Sequence, residues 1–593
     1  MLLALVSIAS VAGWATWSQN RHSSASTEQE SFTSLWWQGG AYILLYGAIV
    51  ATYALSRSSE ALISPWQVVT PWCIPLFALT GLLTWVYLPR MSRWMAGILT
   101  MLQGIAAFGI SMVVYRFGYG FDPFIHQAAA RSLAEHGQML LSSPLYVGYY
   151  TLLAGMHYVT AVPVDMIDIV LVPLFMTMFL VWWTVCGTAL WRLPRSTGWL
   201  VLLLPYAFAT FSVPYHLALV LLLWIIALLP LWEEGRYRFA MVLLASVSVL
   251  IHPLTAVPLA MMLVAGALRP IVRTRYRIPL VALGTLVGIS VLFWIYVSQG
   301  GGAWIMPTAE SLRIGVRVLL GLPFFYEPLP TWMWLVWNGQ MIWMWLALFV
   351  AAIGWGLLAP KEARVRGWEA IAVMIGTAFA AILVASSASF TNILPSEQYE
   401  FALRLRNLLP WLLFPGLSYA ALRIMEKLWG KVSIILVVPL LFTANWLASY
   451  PAYAPEMSMV APGLGEAQLQ AFEAAELMAE RKPYAALAPQ MVSAASLKRV
   501  GFERSLQTSA GERYPYAIPT GGELYSFYLQ LWSERDPHEL LQEACQFARV
   551  PQVLVIMPSG WDPSRWIDER LSPMTTRWIT EDMQHRVYRY ECR

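Results

Sequence analysis

Tyr119-Gly120-Phe121-Asp122-Pro123-Phe124-Ile125-His126-Gln127-Ala128-Ala129-Ala130-Arg131 is a polar interruption in a lipid-soluble chain. It directly follows the apolar run 94–115. Asp-Pro at its start and the alanines behind it predict a short amphipathic helix with Asp122 and His126 one turn apart. A carboxylate and an imidazole at the mouth of a membrane span are costly to desolvate, so the pair marks a candidate site. The rest of the chain decides which side of a membrane that site faces.

The chain has 593 residues, 58% hydrophobic and 12% charged, with mean hydropathy +0.57. Soluble domains carry about 25% charged residues, so the composition is that of a polytopic α-helical membrane protein surrounded by membrane lipids. The net charge of +4 points to no partner, and the absence of a Lys/Arg-rich block argues against nucleic acid. Cys73, Cys186, Cys545 and Cys592 lack the close spacing of a zinc site.

Hydropathy divides the chain into about fourteen expected transmembrane spans. They are 1–18, 35–55, 68–88, 94–115, 166–191, 198–212, 215–231, 239–252, 254–268, 278–297, 332–358, 368–388, 408–424 and 432–449. Pro214 and Pro253 argue for breaks within 198–231 and 239–268, because proline removes a donor and clashes with the preceding turn. The first span lacks a basic lead, which favours an uncleaved helix over a signal peptide.

If the spans alternate, one set of loops collects Arg90/Arg93, Arg192/Arg195, Arg236/Arg238, Arg269 to Arg277, Lys361/Arg364/Arg366 and Arg423/Lys427/Lys431. By the positive-inside rule that set is cytoplasmic. The opposite, external face then receives the first large loop 116–165 and the turns at His216 and His252. It also receives 298–331, 389–407 and everything after about residue 450. Within the first loop, 145–162 is expected to lie flat on the membrane surface, its tyrosines at the interface.

Three regions result: accessory helices 1–93, a membrane core 94–450, and a water-soluble external domain 451–593. The last carries roughly thirty charged residues and no span, and is long enough for its own core. Its β-branched run 552–557 predicts a buried strand and 586–591 alternates like a strand, so an α/β or α+β domain is expected. If those strands lie close, Cys545 and Cys592 are near enough to bridge; two free thiols are the alternative.

Two roles are open to Asp122: cap of its own helix, or general base or ligand of a divalent metal ion. His252 sits at a break between apolar segments, where it either bonds a loop carbonyl or faces the Asp122 cavity. His216 has the same geometry. In 396–407, Glu400, Arg404 and Arg406 stand on the external face. The arginines either snorkel, pair with Glu400, or hold an anion such as a lipid phosphate. Loop 298–331, with its three glycines, is either an interfacial connector or a cover for a cavity.

The layout from residue 94 onward resembles the GT-C superfamily of integral-membrane glycosyltransferases. The features that carry it are the span 94–115, a large first external loop opening on Asp122, and Ser142-Ser143-Pro144-Leu145-Tyr146 leading into a surface helix. Many short spans and an external C-terminal domain follow. The resemblance implies that Asp122 is catalytic, that the donor is a polyprenyl-phosphate-linked sugar, and that basic residues near the external face hold its phosphate. Arg404 and Arg406 qualify by position. The chain departs from the family in having Pro123 where mannosyltransferases carry a second acidic residue, and in lacking W-W-D-x-G.

The resulting expectation is a glycosyltransferase of the cell (plasma or inner) membrane, acting on a glycan, lipid or protein acceptor. Asp122 and His126 would form its catalytic pair, with His252, His216, Glu400, Arg404 and Arg406 around the substrate. A transporter or flippase for a lipid-linked or anionic substrate is the alternative; it would use inverted repeats and mid-span charges. A non-catalytic envelope scaffold leaves Asp122 and the arginines without a role. Orientation is testable in whole cells. A cysteine placed at 364 should resist a membrane-impermeant thiol reagent and one at 500 should react; labelling at 364 in intact cells would reverse the topology.

Overall fold

The computed structural model describes residues 32–139, 144–298, 302–321, 331–390, 398–428, 432–450, 463–517, 522–559 and 562–592. The expected span 1–18, Ser142-Ser143 and Gly300-Gly301 lie outside them.

Among the described residues, four helices are long and apolar enough to cross a membrane: Val164–Leu190, Pro214–Glu234, Thr274–Tyr296 and Lys361–Ser387. Cys73–Tyr87, Arg238–Ile251 and Pro253–Leu268 are apolar but shorter, with 15, 14 and 16 residues. At 1.5 Å per residue a 16-residue helix reaches about 24 Å, short of a hydrocarbon core of about 30 Å. The fourteen full spans expected from hydropathy are therefore not formed among the described residues. Breaks in the backbone explain the difference. The run 94–115 ends one helix at Phe108 and starts another at Ile110, across Gly109. The stretch 198–212 falls within two 3₁₀ turns, Arg195–Leu203 and Ala207–Thr210, separated at Pro205. The run 408–424 splits at Leu413 into Glu400–Leu412 and Phe414–Leu428, with prolines on both sides.

The breaks expected at Pro214 and Pro253 are present. Val213 is extended before the helix Pro214–Leu228, and His252 is extended between Arg238–Ile251 and Pro253–Leu268.

Five of the basic loops meet at one end of the helices. Arg269 Nη2 and Arg277 Nε lie 2.6 and 3.0 Å from Glu369, which is buried. Arg269 and Arg366 both reach Glu233 Oε1, at 2.7 and 2.8 Å, and Arg192 approaches Glu362 at 3.4 Å. Arg195 Nη1 donates to the Met91 carbonyl at 2.8 Å, adding the 90–93 loop to the group. Removing one partner of a buried pair such as Arg277–Glu369 costs about 3–5 kcal/mol, because the other charge stays buried alone. Pro214 and Glu233 are the two ends of one helix, so this charged end lies across the bundle from the His216 and His252 breaks.

The accessory helices are bound to the core by polar anchors. The Tyr46 hydroxyl donates to Gln103 Oε1 at 2.7 Å, and Tyr53 donates to the Ala106 carbonyl at 2.8 Å. The described part of loop 298–331 is also held down: Gly302–Trp304 pairs with Ala388–Phe390, and helix Ala309–Leu320 packs on Lys361–Ser387 and Glu400–Leu412.

Beyond residue 463 the chain forms a four-stranded sheet in the order Tyr484–Leu487, Gln552–Pro558, His585–Glu591, Thr576–Ile579. The first pair is parallel and the others antiparallel. Helices Glu466–Met478, Gln490–Val500, Glu523–Gln530 and Pro537–Ala548 accompany it. The strand pairing Gln552↔Glu591 brings Cys592 beside the end of helix Pro537–Ala548, and Cys545 and Cys592 form a disulfide with Cα atoms 5.8 Å apart. The bridge closes a separation of 47 residues. Chain entropy gives such a closure about 4 kcal/mol of stabilisation. Non-reducing mass spectrometry should therefore show the two cysteine peptides linked. Cys545→Ala/Cys592→Ala should lower the thermal midpoint, and a free Cys592 thiol in protein from the native host would contradict the bridge.

Candidate functional site

The loop into the Asp122 helix is shaped by two glycines. Gly118 and Gly120 have φ of +124° and +83°. A Cβ on Gly118 would lie 2.8 Å from Phe124 Cζ, so glycine is needed there for space as well as conformation. The turn ends at Phe121, and the helix Asp122–His136 begins with Asp122 as its first residue. No side chain caps this helix. Asp122 therefore does not act as the cap, and its carboxylate remains open to the space beside it.

That space is a cavity of about 80 Å³ lined by Asp122, His126, Tyr146, Phe211, Val213, Pro214, Tyr215, His216, His252 and Arg404. At about 30 Å³ per water, it has room for about three waters. Five of the seven residues expected from the sequence line it: Asp122, His126, His216, His252 and Arg404. The other two do not. Glu400 is exposed outside it. Arg406 is buried and turned toward helix Ala309–Leu320, where its Nη1 donates to the Val318 carbonyl at 3.2 Å. Two positions on a helix are 200° apart in azimuth, so Arg404 and Arg406 cannot share a face.

Three helices present their N-terminal ends to this cavity, Asp122–His136, Pro214–Leu228 and Pro253–Leu268, and Arg404 stands one turn into a further helix, Glu400–Leu412. Three carry proline at the first or second position, where the missing N–H would have had no intrahelical partner. Helix N-termini bear partial positive charge. With Arg404 they make the cavity favourable to an anion.

Each imidazole is held differently. His126 Nδ1 is 3.2 Å from the Tyr150 hydroxyl. His216 Nδ1 donates to the Phe211 carbonyl at 3.1 Å, which leaves its Nε2 as an acceptor. His252 stacks on Tyr146, centroids 5.4 Å apart, and its Nδ1 is buried with no partner among the described residues. The loop-carbonyl role thus belongs to His216, and His252 keeps a free ring nitrogen. The Tyr215 hydroxyl donates to the Arg404 carbonyl at 2.7 Å, and the Arg404 guanidinium carbon lies 6.0 Å from the Tyr215 ring centroid.

Asp122 keeps much of its own surface exposed to the cavity, yet the protein crowded around it raises its pKa from the ordinary carboxylate value, and Arg404 draws it partly back. Burial pushes His126 down to about 3, with Arg404 and His216 adding to the effect, so His126 is neutral at neutral pH. Asp122 is thus suited to be a base and His126 is not a proton donor. Among the described residues no group of three or more His, Cys, Asp or Glu is placed to hold a metal ion.

Several residues around the site are given no site role by the sequence reading. Tyr146 and Tyr215 wall the cavity. Below His126, Gln127 Nε2 donates to Asp168 Oδ2 at 2.8 Å and the Tyr149 hydroxyl donates to Asp168 Oδ1. Asp168 is fully buried one turn into an apolar helix, and a carboxylate at that position is itself a signal for a specific partner. The chain matches no protein-family model, and no curated protein is similar enough in sequence to count as a relative.

Asp122 allows a stability test. Its pKa is higher folded than unfolded, so the folded chain binds this proton more tightly. The group therefore opposes folding as pH rises through the unfolded value toward the folded one, and not below both. Asp122→Asn removes that opposition. Thermal melts at neutral pH should place the variant at or above wild type, with the difference closing in acid. A lower midpoint for the variant at neutral pH would make Asp122 a structural residue.

Proposed function

We propose that the protein is an integral-membrane glycosyltransferase that moves a sugar from a polyprenyl-phosphate donor to an acceptor hydroxyl. The observation that carries this reading is the meeting of Asp122 and Arg404 in one small cavity ringed by helix N-termini. A carboxylate whose pKa is raised above its ordinary value is a stronger base than a free one; a guanidinium with positive helix ends is a site for a leaving phosphate.

Asp122 accepts the proton of the acceptor hydroxyl as the oxygen attacks the anomeric carbon. A new C–O bond forms, the bond from that carbon to the phosphate oxygen breaks, and the polyprenyl phosphate leaves with the electron pair. Arg404 stabilises the charge on the departing phosphate. The displacement is single and inverts the anomeric centre. Tyr146 and Tyr215 offer ring faces against the sugar. Neutral His252 has a nitrogen left for a hydroxyl.

The same reading places the cavity and the C-terminal domain outside the cytoplasm, in the cell (plasma or inner) membrane. The gathering of basic loops at the opposite end supports that orientation. So does a disulfide, which belongs to an oxidising compartment.

The test uses full-length protein in lipid nanodiscs, polyprenyl phosphate as the binding probe, and a radiolabelled polyprenyl-phosphate sugar with envelope extract as the acceptor source. Arg404→Ala should weaken polyprenyl-phosphate binding about tenfold or more, with Arg404→Lys in between. Asp122→Asn should bind the probe normally and lose about 10²–10⁴-fold in donor consumption. Unchanged donor consumption in Asp122→Asn, or no measurable binding of polyprenyl phosphate by wild type, would overturn the proposal.

A further inference from the structure

The C-terminal domain meets the Asp122 helix at a contact that the transfer chemistry does not use. Arg131, on that helix, donates from Nη2 to the Leu497 carbonyl at 2.6 Å and from Nη1 to the Lys498 carbonyl at 3.2 Å. Both carbonyls belong to the last turn of helix Gln490–Val500, where a cation also meets the negative end of the helix dipole. Asp165, at the start of the span Val164–Leu190, lies 3.3 Å from Arg131 Nε and 3.8 Å from Lys498 Nζ. The Lys498 ammonium also stands 5.9 Å from the ring centroid of Phe124, two residues after Asp122. Three elements thus close on one carboxylate: the Asp122 helix, the first long span and the C-terminal domain.

The side chains of Arg131, Asp165 and Lys498 are 23%, 22% and 23% exposed. They are screened less than a surface pair and desolvated less than a fully buried one. Backbone contacts extend the junction. Leu464 N–H donates to the Gly118 carbonyl at 3.2 Å, and Tyr119 forms a bridge with Gly463. The segment gripped from both sides is the one that needs it, because a lead-in with two positive-φ glycines cannot by itself fix where Asp122 points.

We infer that the C-terminal domain is a clamp on the Asp122 helix, with Lys498 as a positioning residue that acts through Asp165 and Phe124. The domain then has a role in the cavity's geometry without contributing a lining residue. The clamp holds the carboxylate beside Arg404 whatever the chemistry there, so it stands or falls separately from the transfer reading.

Hydrogen exchange read by mass spectrometry, on the full chain in nanodiscs, tests this without turnover. Lys498→Met keeps the length of the side chain and removes the charge; Asp165→Asn removes the shared carboxylate. Both should speed exchange in peptides covering 122–136 by about fivefold or more. Exchange in the strand Gln552–Pro558 should stay at wild-type rates, and Lys498→Arg should behave as wild type. Unchanged exchange over 122–136 in both variants would overturn the clamp. So would an equal rise in the strand, which would mean that the domain as a whole had loosened.

Discussion

A helix end in apolar surroundings must find partners for the backbone groups it frees, and the cavity is where the ends of Asp122–His136, Pro214–Leu228 and Pro253–Leu268 meet. Prolines at the starts of all three reduce the number of orphan donors. Asp122, three histidines, two tyrosines and Arg404 occupy the first turns or caps around that space, so polar chemistry is concentrated where the backbone already requires it. The same breaks shorten the helices, so the bundle has fewer full-length crossings than its hydropathy suggests.

Charge is sorted between the two ends of the bundle. At the end away from the cavity, Glu369 and Glu233 each serve two arginines, tying the 269–277 loop to the helices Lys361–Ser387 and Pro214–Glu234, and Arg192 adds the loop after Leu190 through Glu362. Those ion pairs are nearly complete in themselves. At the cavity end the balance is left open: Arg404 and Asp122 influence each other without forming an ion pair within 4 Å, and His252 keeps an unpartnered nitrogen. Satisfied polar networks hold structure, whereas unsatisfied ones hold ligands or strain.

The C-terminal domain has its own core around Leu487, Val553 and Tyr588, yet its first helix shares the core of the membrane part through Leu464, Leu469 and Phe472. It is therefore continuous with the bundle rather than tethered to it. The Asp168–Gln127–Tyr149 cluster grips the Asp122 helix on one side and the Arg131–Asp165–Lys498 cluster grips it on another. Two aspartates one turn apart, Asp165 and Asp168, thus anchor the same helix from the start of one span.

The sequence alone determined the class of the protein, the polar interruption at Asp122, the breaks at Pro214 and Pro253, the grouping of the basic loops and the strands that carry the disulfide. These are local or periodic properties: composition, proline, charge and β-branched runs act within a few residues of themselves. The tertiary structure decided the rest. Hydropathy counts apolar residues and not their backbone path, so it could not see 198–212 turn into 3₁₀ segments or 408–424 split at Leu413. Spacing brought Arg404 and Arg406 forward together, but a helix turns 100° per residue, and only packing against Val318 and Tyr215 settled which arginine faces the cavity. Asp168 and Lys498 acquire their partners across 41 and 333 residues of chain (168 − 127 and 498 − 165), a proximity that long-range packing alone creates.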